Sequence, residues 1–348
     1  MLPILRFFKK RCRRLDEAKF LNYLFYGNAG VFAVKMISIS YPFTNLAELV
    51  QEKAVSIAIG HFDGVHRGHQ NVIRQAVDVA RKEGMLSAVM TFSPHPKEVL
   101  GHGEHYYSCL TPLHKKQALF EELGVDIMYV MRFDLSFAAV SPSEFVSGVL
   151  RPLGVGHAVV GFDFTFGSKG AGNASTLLEL CKPDIGVSIV EPLYDNGVKV
   201  SSTYTRDSLE QGNLDKANSL LGRPYEVSGT VVHGDGRGRT IGFPTANLEL
   251  HDPYVAPKLG VYAITAWLDG VAYNGVLNHG MKPTFNKSEI KPVMEANLFD
   301  FDRDIYGKEI RVQFKAFIRS EQKFGSIDQL ISQIAADAAQ ARAINQSL

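Results

Sequence analysis

Ala54-Val-Ser-Ile-Ala-Ile-Gly60-His-Phe62-Asp63-Gly64-Val-His66-Arg-Gly68-His69-Gln70 decides the fold of this chain. Five of its first six residues are apolar and three of them β-branched, which predicts a buried strand. The strand breaks at Gly60, turns through Asp63-Gly64 and enters a helical pattern over about 67–82. His66 and His69 are three residues apart and share one face at the helix start. Free backbone N–H groups and the positive end of the helix dipole point the same way, so the two imidazoles complete a site for a polyanion. Gly68 lets a phosphate or base approach the backbone. A lone histidine here would more often be structural; the order of strand, glycine turn, His-x-Gly-His and helix gives the pair its meaning. No Gly-x-x-x-x-Gly-Lys-Ser/Thr stretch is present, so phosphate handling is not of the P-loop type.

Working outward, strand and helix patterns alternate up to about residue 194. Leu86-Ser-Ala-Val-Met-Thr-Phe92, Asp126-Ile-Met-Tyr-Val-Met-Arg-Phe133 and His157-Ala-Val-Val-Gly-Phe162 read as strands, and Ser141-Pro142-Ser143-Glu144 as a capped helix start. Such alternation predicts a Rossmann-like parallel sheet covered on both faces, with ligands beyond the C-terminal strand ends. Ser201-Ser202-Thr203-Tyr204-Thr205-Arg206 reads as an N-cap before a short helix over 207–211. Beyond Leu221-Gly222-Arg223-Pro224 the pattern changes to five short strands over 225–232, 260–268, 271–277, 293–299 and 309–318, with an Asp269-Gly270 hairpin signal and a final amphipathic helix over 327–343. The fold class expected is therefore an α/β nucleotidyltransferase-type domain over 36–215 and a small antiparallel β-barrel with a terminal helix over 216–348.

The chain has 348 residues, 45% of them hydrophobic, enough for two domains. A net charge of +1 gives no general attraction to nucleic acid or membrane. Cys12, Cys109 and Cys181 are widely spaced, show no metal-ligand pattern and suit a reducing, cytoplasmic setting. No apolar run is long enough to span a bilayer, so no stable membrane insertion is expected. Met1 to Arg14 holds six basic residues and no acid. Residues 1–35 read as an extension without a catalytic part, with a targeting segment as the alternative. At most weak homo-oligomerisation is expected.

Gly60-x-Phe62-Asp63-Gly64-Val65-His66-x-Gly68-His69-Gln70 resembles the signature of bacterial bifunctional riboflavin kinase/FMN adenylyltransferases, the FAD synthetases. Four further segments carry the same resemblance: Ser201-Ser202-Thr203-x-Thr205-Arg206, where the family usually has Ile at Thr205; Asp163-Phe164-x-Phe166-Gly167; Gly234-Asp-Gly236-Arg-Gly238-Arg239-Thr-Ile-Gly242-Phe243-Pro244-Thr245-Ala246-Asn247; and Val293-Met-Glu295-Ala-Asn297. The family usually carries more basic residues after Phe166-Gly167, where only Lys169 stands, and often His where Asn297 stands.

The resemblance implies a riboflavin kinase and an FMN adenylyltransferase that both use ATP and Mg²⁺, with riboflavin and FMN as flavin substrates. It implies ATP contacts at Gly60, Phe62, Asp63, His66, Gly68, His69, Ser202, Thr203 and Arg206 in the first domain. In the second they are Gly236, Arg239, Gly242, Pro244 and Thr245. Flavin contacts fall on Asp163, Phe164, Phe166 and Asn278, the last beside Lys282-Pro283-Thr284-Phe285. Glu295 matches the kinase base, while His66, His69 and Arg206 match the adenylyl-transfer groups. Independently of the family, Thr245 and Asn247 place neutral oxygens on one side of an extended segment, as Mg²⁺ shared with ATP requires. The rival readings are a kinase whose adenylyl site has decayed and a non-catalytic flavin or nucleotide binder.

Overall fold

The computed structural model describes residues 34–101, 107–234, 236–283 and 290–347. Most of the N-terminal extension, together with Thr284 and Phe285, lies outside the described residues.

Among the described residues, ten strands precede the barrel. They are β1 (Lys35–Ile39), β2 (Val55–Ile59), β3 (Leu86–Ser93), β4 (Ile127–Arg132), β5 (Val155–Gly161), β6 (Thr165–Phe166), β7 (Gly172–Asn173), β8 (Gly186–Val190), β9 (Tyr194–Asp195) and β10 (Val198–Lys199). Six of them form a parallel sheet in the order β1-β4-β3-β2-β5-β8. In β2 all five residues are buried. Val55, Ile57 and Ile59 join the core on one face of the sheet and Ala58 the core on the other, the continuous apolar run that a doubly covered strand needs. Helix α1 (Arg67–Glu83) covers the second face through Val72, Ile73, Ala76, Val77 and Ala80, spaced three and four apart. Its ends are set by His66, whose side chain accepts from the His69 amide, and by the left-handed Gly84. Helices α2 (Leu113–Glu122) and α3 (Ala174–Cys181) complete the layers. The chain turns back across the sheet between β2 and β5, so the crevice at their C-terminal ends is the topological switch point, where open α/β sheets bind ligands.

Helix α4 (Ser202–Gln211) begins five residues earlier than the sequence pattern predicts. Ser201 is its N-cap, accepting from the Tyr204 amide. The polar Ser-Ser-Thr run is the N-cap the sequence allows, and it also supplies the first turn. Helix α5 (Leu214–Leu221), capped by Asn213 and stopped at Gly222, leads into the barrel.

The barrel strands are β11 (Tyr225–Val232), β12 (Ala246–Leu250), β13 (Gly260–Leu268), β14 (Val271–Pro283), β15 (Ile290–Leu298) and β16 (Glu309–Arg319), closed in the order β11-β12-β15-β14-β13-β16. The expected barrel is present with six strands rather than five. β12 begins at the end of the glycine-rich motif, and its Ala246 and Leu248 point inward while Asn247 and Glu249 point out. Asp269 and Gly270 both take positive φ and close the tight β13–β14 hairpin. Helix α6 (Ile327–Ser347) packs outside through Ala341, against Val261, Ala263, Val276 and Phe299, and Asp337 receives a bidentate grip from Arg319.

Candidate functional site

Two separate groups of polar side chains gather the residues singled out in the sequence. The first stands at the switch point. Phe62 and Val65 hold positive φ of 54° and 42°, unusual for such side chains, so the loop between β2 and α1 is strained and held from outside. Gly60 is required because a Cβ there would come within 2.9 Å of the buried Phe62 ring. Asp63 is more than the turn residue its Asp-Gly context suggests. Its carboxylate accepts from the Leu110 and Thr111 amides at 2.9 and 3.2 Å and pairs with Arg206 Nη2 at 2.6 Å. Arg206 donates also to the Ser108 carbonyl at 2.8 Å. The Ser202 hydroxyl donates to the Asp63 carbonyl at 2.8 Å, so the first turn of α4 is bound to the turn after β2. Thr203 beside it is exposed.

His66 and His69 stack with ring centroids 3.5 Å apart and planes 17° from parallel. Gly68 lies against the His66 ring, where a Cβ would approach within 3.3 Å. Burial lowers the His66 imidazole to about 4, and burial followed by the charge of His66 drives His69 well below its ordinary value. The pair is therefore neutral near pH 7 and meets an anion with N–H donors rather than with positive charge. His69 Nδ1 is buried without a hydrogen-bond partner, a cost that a ligand in the crevice can relieve.

A cation whose charge reaches this pair was missed by the sequence reading. Lys199, from β10, donates to Asp163 at 2.5 Å and lies 4.4 Å from the Phe162 ring centroid, and its charge reaches both histidines. Only the 36-residue separation of Asp163 and Lys199 hid it. Asp163 is thus exposed beside the crevice. Phe164 is half-buried and stacks on Phe166 at 5.4 Å, whereas Phe166 is itself a core residue packed on Phe145.

The second group lies on the outer wall of the barrel. Asn247 on β12 stands opposite Glu295 on β15, and Glu295 stands opposite Asn278 on β14. Directly opposed residues of antiparallel strands point to one face, so the three form a row across three strands. Met294 and Ala296, on either side of Glu295, point into the barrel core. The carboxylate therefore does not interrupt the core at all; it lies on the half-exposed outer face. Asn297 donates to the Pro244 carbonyl at 2.7 Å and fixes the segment that carries Thr245 beside this row. Gly234 runs so close to Asn247 that a Cβ would meet its amide at 2.2 Å, and a Cβ on Gly238 would stand 3.3 Å from Thr245 Oγ1. The two glycines leave a cradle over the Thr245 and Asn247 side chains. Gly236 and Gly242 take positive φ on either side of a single helical turn that carries the exposed Arg239. The structure thus brings Thr245, Asn247, Asn278 and Glu295 together, and separates them from the histidine pair.

The chain matches the FAD synthetase family model over residues 49–204 and the riboflavin kinase family model over residues 221–345. It is 45% identical over 305 residues to the bifunctional riboflavin kinase/FMN adenylyltransferase of Bacillus subtilis, covering 87% of this chain and 96% of that protein. The chain belongs to the bifunctional riboflavin kinase/FMN adenylyltransferase family. The Escherichia coli member is 40% identical over 302 residues, covering 86% of this chain and 95% of its own length. A crystal structure described as a macrolide-efflux protein from Streptococcus pneumoniae superposes with a TM-score of 0.80 at 35% identity, covering 89% of this chain and 99% of that one. Among the described residues of this family member, no helix is long and apolar enough to cross a membrane.

Proposed function

We propose that the barrel half phosphorylates riboflavin with ATP to give FMN and that the sheet half, residues 36–215, transfers AMP from a second ATP to FMN to give FAD. The observation that carries this reading is the pairing of two family matches, end to end along the chain, with two distinct polar sites, one within each match.

In the kinase half, Glu295 takes the proton of the ribityl hydroxyl as its oxygen attacks the γ-phosphorus and ADP leaves. Asn278, opposite Glu295, orients the flavin. Thr245 and Asn247 fit a hard cation, because they offer neutral oxygens in a cradle kept open by Gly234 and Gly238. Among the described residues no group of three His, Cys, Asp or Glu could hold a metal ion, so the ion would share its coordination with the nucleotide phosphates. Mg²⁺ bound there would neutralise charge on the transferred phosphoryl group. Arg239, Gly236, Gly242 and Pro244 frame the same nucleotide.

In the sheet half, a phosphate oxygen of FMN attacks the α-phosphorus of ATP and pyrophosphate leaves. His66 and His69 donate to the phosphates from the N-terminus of α1 and the nearby Lys199 ammonium adds positive charge, so charge that develops in the transition state is offset. Arg206, already paired with Asp63, acts through the placement of the Asp63–His66 loop, and the first turn of α4 at Ser202 and Thr203 supplies further donors. Asp163 and Phe164 border the flavin. The setting proposed is cytoplasmic, with no nucleic acid partner.

A kinase lacking the second activity is favoured by one observation, the single basic residue Lys169 in the loop after Gly167. Incubation with riboflavin, ATP and Mg²⁺, followed by chromatography of the flavins, separates the two. FMN followed by FAD is expected. FMN as the end product with ATP in excess would leave only the kinase, and unchanged riboflavin would remove the kinase activity.

A further inference from the structure

Arg223 lies inside the part of the chain matched by the riboflavin kinase family, yet its guanidinium is spent on the part matched by the FAD synthetase family. Nη2 donates to the Gly64 carbonyl at 2.8 Å and to Thr111 Oγ1 at 3.3 Å, while Nη1 donates to the Val65 and Leu221 carbonyls, each at 3.3 Å. Gln70 repeats the link, its Nε2 bridging the Val65 and Leu221 carbonyls at 3.0 and 2.9 Å. The Leu221 side chain lies against Gly64, where a Cβ would come within 3.4 Å. Gly222, left-handed at the end of α5, turns the chain so that Arg223 meets the loop, and a Cβ on Gly222 would stand 3.2 Å from Arg67 Cγ in the first turn of α1.

The loop so held runs from Asp63 to His66. Val65 is β-branched, 1% exposed and in the left-handed region, a strained conformation that persists only when its surroundings impose it. His66 follows directly, and its ring direction depends on the peptide that Arg223 grips. We infer that Arg223 is a positioning residue for adenylyl transfer, supplied by the kinase half: its planar fork fixes the Gly64 and Val65 carbonyls and thereby aims the His66–His69 pair. The inference rests on the adenylyltransferase reading of the sheet half. Arg223 lies at the end of α5, outside the Thr245–Glu295 site, and the phosphorylation of riboflavin does not depend on it. A lysine ammonium reaches one carbonyl but cannot span two in the fork geometry, so Arg and Lys are not equivalent here.

The test uses the full chain with Arg223→Met and Arg223→Lys, measuring both half-reactions on each preparation. Misplacement of reacting groups by about 1 Å costs up to about 100-fold. For Arg223→Met, kcat for FMN adenylylation is expected to fall about 10- to 100-fold. Its KM for ATP should change less than kcat, and riboflavin phosphorylation should stay within about twofold, since the barrel site is untouched. Arg223→Lys should recover part of the loss, and it carries the comparison if Arg223→Met does not fold. Equal loss of both activities, or a fall confined to the KM for ATP, would overturn the inference. So would adenylylation unchanged in both variants. Wild-type chain that cannot adenylylate FMN would overturn both the inference and the reading beneath it, and that control is read before any variant.

Discussion

The carboxylate of Asp63 and the guanidinium of Arg206 meet at 2.6 Å with the two side chains 4% and 11% exposed. Both carry motif positions from sequences 143 residues apart, and their union fastens the loop after β2 to helix α4. Removing one partner of such a pair leaves a buried charge unmet, which costs about 3–5 kcal/mol. Asp63→Ala should therefore lower the denaturant midpoint sharply and abolish FAD formation. The double variant Asp63→Ala/Arg206→Met should recover a large part of the stability without recovering FAD formation. Additive losses in a double-mutant cycle would show that the pair is not coupled.

The neutral histidines make stability depend on pH in a defined direction. His66 is held at about 4 in the folded chain and returns to about 6.5 when unfolded. Between those values the unfolded chain binds a proton that the native site refuses. The contribution is present above pH 6.5 and is lost as pH falls toward 4, by at most about 3 kcal/mol. His66→Asn should flatten the fall in unfolding free energy between pH 6.5 and 4; an unchanged slope would mean that other groups account for it.

Glu295→Gln keeps the shape of the side chain and removes its basicity. Riboflavin phosphorylation should fall about 10²- to 10⁴-fold, while supplied FMN is still converted to FAD. Unaltered kinase turnover would take the proton-accepting role away from Glu295.

The boundary between the halves is also testable. Leu214 is 2% exposed and its apolar contacts lie in the barrel core, and Asn213 caps α5 by accepting from the Lys216 amide. A fragment cut to 216–348 loses the cap, worth about 1 kcal/mol, and the Leu214 burial, worth about 2 kcal/mol. The fragment 213–348 should melt higher than 216–348 and retain more kinase activity. Equal melting temperatures would place α5 outside the barrel's cooperative unit.

Much of this architecture is legible in the chain because the apolar periods are clean. The fully buried β2, the three-and-four spacing on α1 and the Asp269-Gly270 turn each state their structure locally. What is not legible depends on distance. β12 escapes because it is short and its two inward residues, Ala246 and Leu248, straddle the end of the glycine-rich motif. The Lys199–Asp163 contact and the Arg223 grip on Gly64 join residues far apart in sequence, and no period encodes them. The neutrality of the histidines is hidden for a related reason: it comes from burial, which the whole fold sets. The Asn247–Glu295–Asn278 row is half legible, since each residue is visible alone while the register that aligns them belongs to the closed barrel.

The most direct test of two separate sites acting in succession is the partition of products in His69→Ala. His69 lies in the crevice between β2 and β5 and contributes nothing to the barrel wall. With riboflavin, ATP and Mg²⁺ supplied, this variant should form FMN at the wild-type rate and accumulate it, with FAD formation reduced about 100-fold or more. Loss of FMN and FAD formation together, in a variant that melts like the wild type, would contradict the account.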